Sequence, residues 1–362
     1  MRQNDSLKSR NTSLDLLRII SMLMIVILHV NSHGEVLNNI SYVNSTIARF
    51  FEYFCVCSVN IFVLISGYFL VDSKFKLSKV IKLLLQVWFY SWVINIIMVF
   101  TGNATFSAKE LISIAFPISY KEYWFITAYL IMYLMSPVLN RLIKSLTQHQ
   151  HKLLIILLLL LTSVWHDLIP ASDPLYINNG YSFFWFIVLY FISAYIKKYD
   201  FSIKKPACVY FACCIAMFLS SMILHTVVNG RDLLENYLPV DHFGKYCSVL
   251  NVISSVSLFC LFRKTSIKHG NIFSRIAPYI FGVYLIHDNI HLRDFIWIKI
   301  FKLSINDNLI ILHAAIAVIC TFVFCLIVDY CRSILFSLLF REGLWTKIDD
   351  WFSKKTNIQR MD

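Results

Sequence analysis

Arg18 and His29 stand eleven residues apart in the run from Leu14 to His29, which is otherwise almost wholly apolar. On an α-helix eleven residues make three turns, so both side chains share a face, roughly 16 Å apart along the axis. A cation inside a membrane-spanning segment costs ~2.5–3.5 kcal/mol even on the lenient insertion scale, so a compensating role is expected. Imidazole exchanges its proton near neutral pH and holds a charge poorly in a low-dielectric site, which suits His29 to general-base work. The plainer alternative is that Arg18 snorkels to one surface while His29 caps the other end.

A second histidine group lies late in the chain. His287 and His291 are one helical turn apart, with Asp288 between them. Such a pair could in principle share a metal, but no HExxH pattern or third ligand accompanies it, and no metal is expected. Glu52, Asn60 and Asn95 are polar residues within apolar runs and are candidates to line an interior cavity. Asn251 reads as a hydrogen-bonding residue between helices. Glu122 reads as an interfacial residue at the outer end of a span.

The elements that must position these residues follow from composition. Of 362 residues, 58% are hydrophobic and only 15% charged, and the mean hydropathy is +0.65. Soluble domains carry about a quarter charged residues. The excess of apolar surface calls for lipid as solvent. Ten apolar runs lie near 14–31, 50–71, 80–101, 123–140, 152–169, 183–198, 207–228, 246–262, 276–297 and 309–330, the sixth and eighth being the shortest. The fold class is therefore all-α, a polytopic membrane protein of about ten transmembrane helices with both termini cytoplasmic. Residues 1–340 form the membrane domain and 341–362 a cytoplasmic amphipathic tail. In that tail Leu344, Trp345, Ile348, Trp351 and Phe352 recur at helical spacing, as in a helix lying among lipid headgroups.

Charge placement supports this arrangement. With the N-terminus inside, 24 of the 33 Lys and Arg residues fall in inside segments and 8 in outside loops, leaving Arg18 within a span. That bias obeys the positive-inside rule. It also accounts for the net charge of +12 without a nucleic-acid partner. Nine of the ten cysteines fall inside apolar runs, where cysteine acts as a small hydrophobe and not as part of a disulfide framework. The first run ends in Asn31-Ser32-His33-Gly34-Glu35 without a small-residue cleavage site, so it reads as a retained helix. No internal repeat supports an inverted-repeat transporter.

The Arg-x10-His spacing of Arg18 and His29 resembles the signature of the acyltransferase-3 family, and three further stretches are similar to that family in the same order. These are Asn60 to Leu70, ending in Ser66-Gly67-Tyr68-Phe69-Leu70; Glu122-Tyr123-Trp124-Phe125 running to Ser136-Pro137; and Phe281-Gly282-Val283-Tyr284-Leu285-Ile286-His287. The resemblance covers about residues 13 to 330. It implies a membrane enzyme of the cell (cytoplasmic) membrane that moves an acyl group from acetyl-CoA, or another short acyl-CoA, to a sugar hydroxyl. The acceptor would be a cell-envelope polysaccharide or its lipid-linked precursor. In this reading His29 is the catalytic base, and Arg18 with Lys76, Lys79 and Lys82 binds the donor's phosphates. The family often has Arg-x-x-Arg where this chain has Lys79 and Lys82, which exchanges a bidentate fork for a point charge. Topology alone also accounts for these lysines. Glu52, Asn60, Ser66, Trp124 and His287 would line the acceptor cavity. No Gly-x-Ser-x-Gly nucleophile motif is present, so the chemistry is expected in the membrane domain or a separate partner. The rival readings are a transporter or flippase for a lipid-linked sugar, and a non-catalytic membrane subunit of a glycan-synthesis complex.

Overall fold

A segment crossing lipid must satisfy its own backbone hydrogen bonds, and a chain of long apolar runs does so by forming helices. The computed structural model describes residues 11–37, 41–105, 107–120, 122–170, 172–228, 231, 237–267, 271–303 and 308–356, and every regular element among them is helical. The basic residues Arg2, Lys8, Arg10, Lys121, Lys268 and Arg360 lie outside the described residues, as do residues 357–362 of the expected tail.

The helices are α1 (Thr12–His33), α2 (Tyr42–Cys55), α3 (Ser58–Leu70), α4 (Leu77–Phe100), α5 (Ala108–Ala115), α6 (Trp124–Ser145) and α7 (Gln148–Leu168). They continue as α8 (Phe183–Lys198), α9 (Pro206–Val228), α10 (Val249–Lys264), α11 (Asn271–Ile276), α12 (Ile280–His287), α13 (Ile310–Leu339) and α14 (Glu342–Thr356). Among the described residues, eight helical segments are long and apolar enough to cross a membrane, α2 and α3 counting together as one. The chain is thus a polytopic membrane protein. The two expected runs outside this set are 183–198, a helix of 16 residues, and 276–297, which is broken. The short sixth run is almost wholly buried, from Trp185 through Ala194, so protein and not lipid surrounds it.

Two of the expected spans differ in shape. The second begins at Tyr42, eight residues before the apolar run, and is interrupted at Val56-Cys57. There the carbonyl of Phe54 accepts from the Tyr210 hydroxyl at 2.7 Å, and that of Val56 from Asn251 Nδ2 at 3.4 Å. Side chains from α9 and α10 take over carbonyls that a continuous helix would bond internally. The ninth ends at His287 because Asn289, Tyr123 and the Leu285 carbonyl form a chain of hydrogen bonds of 2.7 and 2.9 Å.

Close helix approach depends on two glycines in the family-like stretches. A Cβ on Gly67 would lie 2.1 Å from Ser193 Oγ, so only glycine lets α3 meet α8. A Cβ on Gly282 would lie 2.0 Å from Asp329 Cγ, which fixes α12 against α13 in the same way. The tail helix α14 packs on α4. Asp349 accepts from Ser78 N at 2.8 Å and from Ser78 Oγ at 2.7 Å, capping the first turn of α4, and Phe352 lies against Phe75. The amphipathic tail therefore spends part of its apolar face on the membrane domain.

Candidate active site

His29, three turns above Arg18 on α1, faces a cavity of about 510 Å³, within the range of small-molecule sites. Besides His29 its walls include His33, Glu52, Glu122, Trp124, Tyr284, Asp288 and Arg293. α1 supplies the two histidines because positions 29 and 33 are one turn apart and share a face.

The hydrogen bonds around His29 set its proton inventory. His287 Nδ1 lies 2.6 Å from the Val283 carbonyl, a group that only accepts, so Nδ1 carries the proton. In the neutral ring His287 Nε2 then offers a lone pair, and His29 Nδ1, 2.9 Å away, donates to it. His29 Nε2 is left with the lone pair, the form a general base requires. Asp288 Oδ1 sits 3.5 Å from His29 Nδ1 and 3.7 Å from His33 Nε2. A carboxylate there stabilises the imidazolium that proton uptake at His29 creates, the logic of a base held by a second group and an acid.

Several of the expected site residues take up other positions. His287 is fully buried behind His29 and is not among the residues lining the cavity. Asn60 lies in an interhelical network, donating to the Tyr246 carbonyl at 2.8 Å and accepting from Trp185 Nε1 at 3.0 Å. Asn251 joins it at 3.4 Å. Ser66 sits beside the Tyr129 hydroxyl, away from the cavity lining. Glu52 and Trp124 do line the cavity. Asn95 is buried, and its Nδ2 has no hydrogen-bond partner among the described residues.

Arg18 lies at the opposite end of α1 and is absent from the cavity wall. Its Nη1 meets Asp15 Oδ1 at 3.0 Å, and the guanidinium lies over the Phe69 ring. Asp15 is itself held by Ser274 Oγ at 2.8 Å. Lys76, Lys79 and Lys82 are exposed at the start of α4. Lys82 Nζ stands 4.7 Å from the Trp345 ring centroid of α14.

Sequence reasoning missed His33, Asp288, Tyr284 and Arg293, and placed Glu122 outside the site. The i+4 spacing of His33 from His29, and the adjacency of Asp288 to His287, were available signals. Glu122 accepts from Ser91 Oγ at 2.7 Å through Oε2, and Oε1 has no hydrogen-bond partner among the described residues. Burial pushes its carboxyl up from the ordinary value, opposed by the hydrogen bond from Ser91.

Among the described residues, two groups bring potential metal-ligand atoms within 4.8 Å of one another: His29, His33 and Asp288, and His166, Asp167 and His242. In the first, His29 Nδ1 is already bonded to His287 Nε2. In the second, the His166 and His242 rings stack with planes only 8° apart, so their in-plane lone pairs do not converge.

A family model described as an acyltransferase domain matches residues 11–330. No curated protein and no solved structure matches the chain.

Proposed function

The chain belongs to the acyltransferase-3 family, and we propose that this membrane acyltransferase moves an acetyl or other short acyl group from acyl-CoA to a sugar hydroxyl. The acceptor is a cell-envelope polysaccharide or its lipid-linked precursor. Donor supply from the cytoplasm fits the expected topology, with both chain ends on that side of the cell membrane.

The observation that carries the reading is His29 on the wall of a ligand-sized cavity, bonded at 2.9 Å to His287 behind it and with Asp288 beside it. His29 Nε2 takes the proton of the acceptor hydroxyl as its oxygen attacks the thioester carbonyl carbon. The tetrahedral intermediate collapses with loss of the CoA thiolate. The carbon–sulfur bond breaks, the ester bond forms, and the imidazolium returns its proton to the thiolate. Asp288 supports the transient charge on His29.

At the other end of α1, Arg18 and the exposed Lys76, Lys79 and Lys82 are proposed to meet the donor's phosphates. The rise of roughly 16 Å between Arg18 and His29 is within reach of a pantetheine arm. The test is thioester consumption by the purified protein in detergent, with and without a glycan acceptor. Acceptor-stimulated release of free CoA is expected. A protein that binds glycan yet never consumes the thioester would return the transporter reading to first place.

A further inference from the structure

The same cavity carries a second feature beyond its base, an aromatic wall next to an unsatisfied carboxyl. Trp124 stacks with Tyr246 at a centroid distance of 6.0 Å and 19° between planes, and Tyr181 lies 4.5 Å from Trp124. All three line the cavity. Aromatic faces carry a negative quadrupole and bury large area, so they favour the electropositive C–H face of a ring. Glu122 brings to the same cavity a carboxyl whose Oε1 has no hydrogen-bond partner among the described residues. A buried acceptor without a donor costs about 1–3 kcal/mol, which a ligand hydroxyl recovers on binding.

The charges on the wall narrow the ligand further. The carboxyls are Glu52, Glu122, Asp241 and Asp288; the fixed bases are Lys245 and Arg293. Lys245 is already paired with Asp241 at 2.5 Å. Arg293, which among the described residues meets Asp294 at 3.8 Å, shares the wall with the carboxyls of Glu52, Glu122 and Asp288. A uronate entering this space finds no cation free of a carboxyl and gives up its hydration, a cost that a neutral ring does not meet.

We propose that this end of the cavity is a subsite for an uncharged sugar ring, with Trp124 covering one face and Glu122 accepting from a ring hydroxyl. The proposal rests on the acyltransferase reading for its choice of a sugar acceptor, and it adds which sugars are admitted. Hexosides enter and hexuronides are turned away. A site built around a hydrogen-bonding partner also rejects rings that lack the matching hydroxyl.

Binding without acyl-CoA tests the subsite separately from the reaction. Purified protein in detergent at pH 7 is titrated with methyl glucoside, methyl galactoside and the corresponding methyl uronides, read by saturation-transfer NMR. The neutral member of at least one pair is expected to bind tenfold or more tightly than its uronide. Trp124→Leu should abolish the neutral signal. Glu122→Gln should narrow the neutral-to-anionic ratio several-fold while staying folded, with a melting temperature at that pH no lower than the wild type's. Uronides that bind as well as the neutral rings, or a folded Glu122→Gln variant with an unchanged ratio, would overturn the proposal. Neutral rings that bind selectively to a protein that never consumes thioester would support the subsite and defeat the acyltransfer reading alone.

Discussion

His29 Nδ1 and His287 Nε2 lie 2.9 Å apart although 258 residues separate them in the chain. The bond fixes which nitrogen of His29 is bare, so in the proposed mechanism His287 acts through His29 as a positioning residue. His29→Ala is expected to lower acyl transfer by roughly 10²–10⁴-fold, the usual cost of losing a general base, with a residual rate that climbs with pH. His287→Phe keeps a ring in the space but removes the acceptor. It should cost on the order of 10²-fold in kcat, leave the KM for acyl-CoA unchanged and move the midpoint of the pH–rate profile. Steady-state kinetics across pH decide this. A purely packing role would lower protein yield and leave that midpoint in place.

Glu122 gives stability a pH dependence of known sign. Its carboxyl is raised by burial above the ordinary value of 4.5, so the folded chain binds its proton more tightly than the unfolded chain. Across the window from 4.5 upward to the raised value, the folded state holds more protons and stability falls as pH rises. Glu122→Gln cannot titrate. Its melting temperature in detergent should decline less between pH 4.5 and 7 than that of the wild type. Parallel profiles for the two proteins would rule out burial of this carboxyl as the cause.

Gly282 should not tolerate a side chain. Asp329, against which it packs, is held by Arg332 at 2.8 and 2.9 Å, Tyr90 at 2.8 Å and Gln86 at 3.0 Å, so it cannot retreat cheaply. Gly282→Ala is expected to cost about 1–3 kcal/mol as an overpacked contact. Gly343→Ala, with nothing within 4 Å of the added Cβ, serves as the control. Thermal unfolding monitored by fluorescence size exclusion separates the two variants.

What could be read from the chain beforehand follows from how local each signal is. A span such as α13 is one uninterrupted apolar run, and its hydropathy suffices. The breaks at Val56 and after His287 arise because side chains far along the chain, Asn251 and Tyr123, engage the local backbone or its neighbours. Composition carries no trace of such bonds. His29 stood out because an ionisable residue in a span needs a reason to be there. Its partners did not, since pairing across the whole fold has no periodicity. The contact of Arg18 with Asp15, three residues earlier on the same helix, is by contrast local, and its spacing is legible in the sequence.

The donor side yields a prediction of opposite signs at neighbouring residues. Asp349 places a carboxylate on the first turn of α4, bonded to Ser78 N at 2.8 Å and Ser78 Oγ at 2.7 Å. Helix N-termini favour anions, and a phosphate would seek the same ground. If Lys76 and Lys79 meet the phosphates of acyl-CoA, Asp349 is a competing anion next to them. Asp349→Ala should then lower the KM for acyl-CoA several-fold, even while losing about 1 kcal/mol of stability with the cap. Lys79→Ala should raise the same KM, and both effects should shrink as salt is raised from 50 to 500 mM, since exposed charges are screened over about 10 Å at 0.1 M. Lys82, which lies over the Trp345 ring, should respond less than Lys79 because part of its interaction energy is already spent within the protein. Initial rates at varied acyl-CoA and salt measure all three variants. Should Asp349→Ala and Lys79→Ala move KM in the same direction, the start of α4 is not where the donor's phosphates bind, and the lysines there serve topology alone.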